Sequence, residues 1–454
     1  MASWFQHRLR RLHPTNLLLF SFLAAIAVGT VLLMLPAASA AGRLAFIDAL
    51  FTATSAVCVT GLIVVDTGSF FSAFGQGVIL FLIQIGGLGI MTISVTLFQV
   101  IGKKVVFQQR MAMQEVFSAA PRADIYAILR SVIVFTAIIE TVGAVVLFLY
   151  WQGAHPVGEA AWLAVFHAVS AFCNAGFSLF ADSLIAFRSS GIVNVTVGSL
   201  IVLGGIGFPV VYEIYRHVTG TGRRRISIQT KAVLAATAGL IGLGALVILV
   251  SEKTTAAPMG LGEQLMSAFF QSVTCRTAGF NTIDIASLNT ATLLFMMFLM
   301  LVGASPGSCG GGIKTTTLVV LGSFSWSRLW RRKCVNLFGK TVPAETVTKS
   351  VSVLVLSLAT IGVAVFVILF ADPRHGARIG GSRQFLSYLF ETVSAFATVG
   401  LSMGATGVLT PVGKLTIIVL MIIGRVGVPA FTYIIAGAGS TKGIRYAEEN
   451  LMIG

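Results

Sequence analysis

The sequence is short of charge. Asp, Glu, Lys and Arg make up 10% of its 454 residues, and only 16 residues are acidic. A soluble domain carries about 25% charged residues, so a water-solvated surface is excluded. Histidine is equally scarce: His7, His13, His155, His167, His217 and His375 are scattered. No acid pair recurs, which leaves a polytopic membrane enzyme without a general acid, base or nucleophile cluster. The five cysteines, an odd number, fit neither a zinc pattern nor CxxC. Cys58, Cys173, Cys275 and Cys309 read as small packing residues. Aromatic residues interleaved with base-reading side chains are missing, so the net charge of +15 does not signal nucleic acid.

What is abundant is apolar surface: 56% of the residues are hydrophobic and the mean hydropathy is +0.92. The chain reads as an integral membrane protein. About two thirds of its 31 Lys and Arg fall in segments 1–16, 102–130, 216–231, 328–349 and 441–454. Loops poor in Lys and Arg alternate with them. The positive-inside rule then puts all five segments, and both termini, on the cytoplasmic side. The clusters Arg223-Arg224-Arg225 and Arg331-Arg332-Lys333 are expected to touch anionic membrane lipids. An Arg-rich start, an apolar run and Ala38-Ser39-Ala40 imitate a secretory signal, but the run 15–36 exceeds the usual core of about 7–15 residues.

One stretch recurs four times: FTATSAVCVTGL from Phe51, FHAVSAFCNAGFS from Phe166, FFQSVTCRTAGFNT from Phe269 and FETVSAFATVGLS from Phe390. Aligned on Gly61, Gly176, Gly279 and Gly400, each copy has a Phe ten positions earlier. Ser55, Ser170 and Ser394 stand six positions before their glycines, and Ser272 is shifted by one. Internal repeats are the first guide to a fold. Apolar runs flank each copy, giving span, half-helix, glycine strand and span. The sets are 15–36, 46–62, 72–100; 125–151, 160–176, 190–217; 230–250, 263–279, 289–326; and 348–371, 385–400, 410–437. The expected fold is an all-α polytopic membrane protein with four pseudo-symmetric repeats around a central ion pore. It would have eight transmembrane helices and four re-entrant pore helices. Its parts are a cytoplasmic segment 1–14, repeats 15–101, 125–217, 230–326 and 348–437, and a tail 438–454.

Glycine at the aligned positions permits the φ/ψ that turns carbonyls inward. Backbone carbonyls can replace the water of a monovalent cation without fixed charge. The expected ion-binding strands are Val59-Thr60-Gly61, Asn174-Ala175-Gly176, Thr277-Ala278-Gly279 and Thr398-Val399-Gly400. Four half-helix C-termini aimed at the centre would add negative potential. Asp66, Asp182 and Asp284 follow three of the glycines by five or six positions and are expected at the outer mouth. Arg276 is expected to brace the third half-helix against Glu391 or Asp284.

The second spans carry glycine notches: Gly86-Gly87-Leu88-Gly89, Gly204-Gly205-Ile206-Gly207 and Gly424-Arg425-Val426-Gly427. They allow close helix approach. The third repeat has instead Gly303-Ala304-Ser305-Pro306-Gly307-Ser308-Cys309-Gly310-Gly311-Gly312, then Ile313-Lys314. Fourteen residues, 289–302, rise about 21 Å, short of a hydrocarbon core about 30 Å thick. Irregular backbone at that depth must be buried in protein or line water, so 303–312 is expected beneath the ion site as a gate. It is not a nucleotide-binding loop, because Ile313 separates Gly312 from Lys314. Arg425 and Lys314 are charges at membrane depth and need a cavity or partner. Arg425 is expected below the ion site, against carbonyls of 303–312. An ion pair with Glu140 is the alternative.

Together the four strands, Gly303–Thr317 and Gly424-Arg425-Val426-Gly427 resemble the Trk/Ktr/HKT superfamily of potassium transporters over 15–437, nearest to the membrane subunit of bacterial Ktr systems. Nothing like the extra N-terminal helix pair of Trk members precedes the first repeat. The resemblance implies a potassium filter, an intramembrane gate at 303–312 faced by Arg425, and a homodimer with one pore per protomer. It also implies a cytosolic ring of nucleotide-binding (RCK-type) regulatory subunits, sodium-dependent uptake and a bacterial plasma (inner) membrane. No nucleotide is expected on this chain. Gly61 resembles the potassium-selective members rather than the sodium-selective ones with serine there. One departure is Val428-Pro429-Ala430, where the family pattern has Pro-Leu directly after the glycine. An unregulated monovalent-cation channel and a membrane enzyme are the alternatives.

Overall fold

The computed structural model of the protein describes residues 14–89, 125–220, 225–252, 260–372 and 381–428. The expected terminal segments, the basic stretch 102–124, the end of the span 72–100 and Pro429 lie outside those residues.

The described chain is almost wholly helical. It runs α1 (Pro14–Leu33), α2 (Phe46–Val57), the one-turn α3 (Thr67–Phe70), α4 (Ala73–Leu88), α5 (Ile125–Trp151), α6 (Val157–Phe172), α7 (Gly191–Ile206) and α8 (Phe208–Val218). Then come α9 (Ile228–Ser251), α10 (Leu261–Thr274), α11 (Thr290–Leu301) and α12 (Thr315–Leu329). A small antiparallel pair follows, β1 (Asn336–Leu337) and β2 (Lys340–Thr341), and then α13 (Ala344–Ala371), α14 (Gly381–Phe396) and α15 (Pro411–Val426). By length and composition, Arg130–Trp151, Ile228–Ser251 and Ala344–Ala371 can each cross a membrane, and α7 with α8 pass together as a bent pair.

Local chemistry sets the helix ends. Ser72, Ser190 and Thr410 cap α4, α7 and α15 by accepting the N–H of Gly75, Val193 and Gly413 at 3.3, 3.4 and 3.1 Å. Such caps satisfy donors that a helix start leaves free. The same three helices stop at Gly89, Gly207 and Gly427, whose φ values are 82°, 96° and 94°. Only glycine takes that conformation freely. The span expected over 190–217 is therefore two helices, α7 and α8, that meet at 95°. The turn at Gly207 aims the chain sideways, and the Phe208 N–H donates to the Gly307 carbonyl at 3.0 Å.

The four short helices α2, α6, α10 and α14 sit at the centre, and the other helices enclose them. Each of α4, α7 and α15 packs against its own short helix and the next one round: α4 on α2 and α6, α7 on α6 and α10, α15 on α14 and α2. α11 packs on α14. The circuit closes between the last and first repeats, where Lys414 Nζ of α15 meets Asp48 of α2 at 2.6 Å.

Glycine notches make this packing possible. A methyl group on Gly86, Gly204 or Gly424 would run into the carbonyl oxygen of Val57, Phe172 or Phe396. All three carbonyls stand four residues before an aligned glycine. Gly198, also on α7, has nothing among the described residues within 4 Å of an added methyl. Overpacking a tight site costs about 1–3 kcal/mol, whereas Gly to Ala in an open helix gains up to about 1 kcal/mol. Gly204→Ala is therefore expected to lower the thermal midpoint of the purified protein and Gly198→Ala to hold or raise it, as read by intrinsic fluorescence.

Candidate functional site

The four aligned glycines form a closed ring. A methyl group on Gly61 would strike the Ala175 carbonyl, one on Gly176 the Ala278 carbonyl, one on Gly279 the Val399 carbonyl, and one on Gly400 the Thr60 carbonyl. Each glycine thus abuts the carbonyl that precedes the next glycine, in the order first, second, third, fourth and back to first. Repeats 1 and 3 are diagonal across the ring, as are 2 and 4.

The backbone is bent the same way at each corner. Gly61, Gly176, Gly279 and Gly400 have φ of 90°, 69°, 83° and 92°. Two positions earlier, Val59, Asn174, Thr277 and Thr398 have φ of 56°, 60°, 74° and 50°. For a β-branched residue this left-handed conformation costs about 1–2 kcal/mol. Four such residues in register mark strain held by the surroundings, which concentrates at functional sites. The hold comes from the short helices. Thr60, Ala175 and Val399 donate their N–H to the carbonyls of Ser55, Ser170 and Ser394 at 2.8, 2.7 and 2.8 Å. The Ser55 and Ser394 hydroxyls accept from the N–H of Gly61 and Gly400, both at 3.1 Å, and Ser170 donates to the Phe177 carbonyl at 2.8 Å. The shifted Ser272 turns away and donates to Ile241 of α9 at 2.8 Å.

On one side of the ring lies a cavity of about 420 Å³, lined by all four glycines together with Asp182 and Asp284. Asp66 is not part of its lining. That carboxylate caps α3, accepting the Ser69 N–H at 2.7 Å.

On the other side lies the glycine-rich segment. Val302 and Ile313 pair as a parallel bridge, and the Gly303 N–H donates to the Ile313 carbonyl at 2.8 Å, so 303–312 is a closed loop. The α7 notch anchors it: Ser305 and Cys309 donate their N–H to the carbonyls of Gly205 and Gly204 at 3.1 and 3.2 Å. The Gly311 N–H donates to the Thr398 hydroxyl at 3.0 Å, and a methyl on Gly310 would strike the Thr277 side chain. The loop therefore lies directly beneath ring strands 3 and 4. Ser308 closes a turn onto the Ser305 carbonyl at 2.6 Å, and Pro306 and Gly307 face Gly207. Ala304 is buried against Gly310, and Gly312 lies against Gly303 and Ala397.

Two cations hold this loop. The Arg425 guanidinium donates to the Cys309 carbonyl and to the Gly86 carbonyl, clamping the loop to the α4 notch. Lys314 Nζ donates to the Gly310 carbonyl at 2.8 Å. Glu140 is not the partner of Arg425. It accepts from Gln84 Nε2 at 3.2 Å and from the Cys173 thiol at 3.8 Å. The expected brace at Arg276 is also absent. Its Nε has no partner among the described residues, Asp284 caps a turn by accepting the Ala286 N–H at 3.0 Å, and Glu391 is bonded to Ser402 and Thr406. Arg276 belongs to the only ring strand without a serine six positions before its glycine, so its surroundings differ from the other three. The carbonyls at the notches were missed as partners because backbone acceptors leave no mark in a sequence.

Fold and ring together define a class: helical membrane proteins in which four peptide carbonyl corners surround one axis, as suits cation transport. Residues 4–440 match the family described as TrkH, cation transport protein, and the chain belongs to that family. It is 38% identical over 442 residues to the Ktr system potassium uptake protein B of Vibrio alginolyticus, covering 97% of this chain and 94% of that one. It is 36% identical over 455 residues to the potassium/sodium uptake protein NtpJ of Enterococcus hirae, covering 98% of each. The crystal structure of the potassium transporter TrkH from Vibrio parahaemolyticus shares the fold, with a TM-score of 0.71 at 19% identity over 94% of this chain and 85% of that one. A transport family, and not an enzyme family, accounts for the missing catalytic clusters.

Cys309 is 0% exposed. Removing the Arg425 clamp frees the loop that carries it. Arg425→Ala is expected to raise the rate at which Cys309 reacts with a maleimide by at least several-fold, resolved by mass spectrometry of the adducts. An unchanged rate would mean that Arg425 does not restrain the loop.

Proposed function

We propose that the chain is the potassium-translocating membrane subunit of a Ktr-type uptake system in a bacterial plasma membrane. The ring of carbonyls from Thr60, Ala175, Ala278 and Val399, closed by the four glycines, carries this reading. Peptide oxygens held at a fixed spacing replace the hydration shell of a monovalent cation. The buried Thr60 hydroxyl has no partner among the described residues. Asp182 and Asp284 raise the local cation concentration in the mouth, with Asp66 further out.

The eight-span reading places α2, α6, α10 and α14 as re-entrant pore helices, and the repeats as 15–101, 125–217, 230–326 and 348–437. Both termini are then cytoplasmic. The 303–312 loop is the gate, closed while Arg425 holds it against the α4 notch and Lys314 ties its own turn at Gly310. Positive charge beneath the ring opposes the passage of a cation, so opening requires the loop and Arg425 to move apart. A cytosolic ring of nucleotide-binding subunits is the agent for that movement, on a homodimer of this chain. Relatives named as components of a Ktr system support a partner. The relative named for potassium and sodium supports sodium dependence.

Growth of a potassium-uptake-deficient bacterium at low potassium, with and without a regulatory ring subunit, tests the function. Growth that needs both chains is expected, and no growth with either combination contradicts it. Gly61→Ser and Gly279→Ser are each expected to lower the potassium-to-sodium uptake ratio, because a Cβ pushes the neighbouring carbonyl out of line. Unchanged ratios in both would contradict the filter. Deleting residues 307–310 is expected to raise flux through a protein that still reaches the membrane, and lower flux would contradict a gate.

A further inference from the structure

Two of the four corners carry a hydroxyl relay that the others lack. In repeat 2, Ser178 stands two residues after the ring glycine. His167, nine residues before that glycine, is 0% exposed, and its Nδ1 lies 2.8 Å from the Leu163 carbonyl. A carbonyl can only accept, so in the neutral imidazole the proton is on Nδ1 and Nε2 is an acceptor. The Ser178 hydroxyl, 3.0 Å from Nε2, therefore donates to it, while Ser178 Oγ accepts the Phe180 N–H at 3.0 Å. The imidazole is fixed by a stack on Phe180, with ring centroids 4.9 Å apart.

Repeat 4 repeats this in different chemistry. Ser402 stands two residues after Gly400, and Glu391 nine before it. The Ser402 hydroxyl donates to Glu391 Oε1 at 2.5 Å and accepts the Gly404 N–H at 2.9 Å. Glu391, 1% exposed, also accepts the Met403 and Ala405 N–H groups at 3.1 and 3.2 Å and the Thr406 hydroxyl at 2.7 Å. The positions coincide in both repeats: acceptor at minus nine, serine at plus two, N–H at plus four.

Repeats 1 and 3 have no such relay. Thr52 spends its hydroxyl on the Asp48 carbonyl of its own helix at 2.8 Å, and Ile63 stands at plus two. In repeat 3 the residues are Phe270 and Asn281, and the Asn281 N–H donates to Ser183 of repeat 2 at 3.2 Å. The relays thus occupy one diagonal of the ring.

We propose that Ser178 with His167, and Ser402 with Glu391, are paired positioning residues that fix the distance across the 2–4 diagonal and so contribute to cation selectivity. Each relay ties the strand leaving the ring to the short helix entering it. Neither strand can then move outward without breaking the bond from its serine to His167 or Glu391, and it would leave that buried acceptor with one partner fewer, which is costly. Both serines line the mouth cavity, so they act where an ion arrives. The inference rests on the ring being the ion filter.

The test is the potassium-to-sodium uptake ratio of reconstituted full-length protein, with its regulatory partner, for Ser178→Ala, Ser402→Ala and the double variant. Each single variant loses one oxygen. A net hydrogen bond of about 1 kcal/mol corresponds to about a fivefold change, so each single variant is expected to lower the ratio by about fivefold and the double variant further. Ser402→Thr, which keeps the hydroxyl, is expected to retain the wild-type ratio. A purely structural role would reduce both fluxes together and leave the ratio alone. Gly279→Ser is measured alongside. If it lowers the ratio while the serine variants do not, the braces are refuted and the filter stands. If none of them changes it, the filter reading itself fails. Should the alanine variants fail to fold, Ser402→Cys, close in size with a weak donor, takes their place: a wild-type ratio refutes the proposal and a lowered one supports it.

Discussion

Everything in this protein depends on four backbones meeting where no side chain fits. Each ring glycine lies so close to the preceding carbonyl of its neighbour that a single methyl group would collide with peptide atoms. Carbonyls at membrane depth are costly unless they are paired or put to use. The fold assembles them by stopping four short helices at the centre and bending the chain sharply after each. The left-handed Val59, Asn174, Thr277 and Thr398 carry the strain of that bend. In repeats 1, 2 and 4 the helices behind them hold it through the serine contacts.

The second constraint follows from the first. To bring four short helices together, the enclosing helices must approach the helix ends closely. Gly86, Gly204 and Gly424 provide that approach, each against a carbonyl of its own repeat. In repeats 1 and 2 the same notches leave carbonyls facing inward, and these serve a second purpose. Gly204 and Gly205 accept from the 303–312 loop, and Gly86 accepts from Arg425. Packing and the proposed gate thus share the same backbone groups. Arg425 bonds carbonyls rather than a carboxylate, so its charge remains available beneath the ring.

Much of this was legible in the sequence because it is repeated. The Phe ten positions before each glycine set the register of the four copies, and the too-short helix before Gly303 marked the break where the structure has the closed 303–312 loop. The Asp48–Lys414 pair, the 95° turn at Gly207, the β1–β2 pair and the missing carboxylate partner of Arg276 were not legible. The turn depends on one glycine φ that a span-length apolar run conceals. The pair joins residues hundreds of positions apart, and no pattern of spacing announces it. Arg276 was assigned a carboxylate on proximity in the repeat, yet Glu391 is saturated by hydroxyl and N–H donors. Nor do Val and Thr suggest left-handed backbone, since Asn174 alone among the four has a residue type that favours it.

The central claim is that the four corners bind one cation on their common axis. Crystals of the protein soaked in rubidium, a heavy substitute for potassium, test it through anomalous scattering. The account predicts a peak within coordination distance of the carbonyls of Thr60, Ala175, Ala278 and Val399. Rubidium bound elsewhere in the protein, with no peak at that ring, would contradict it.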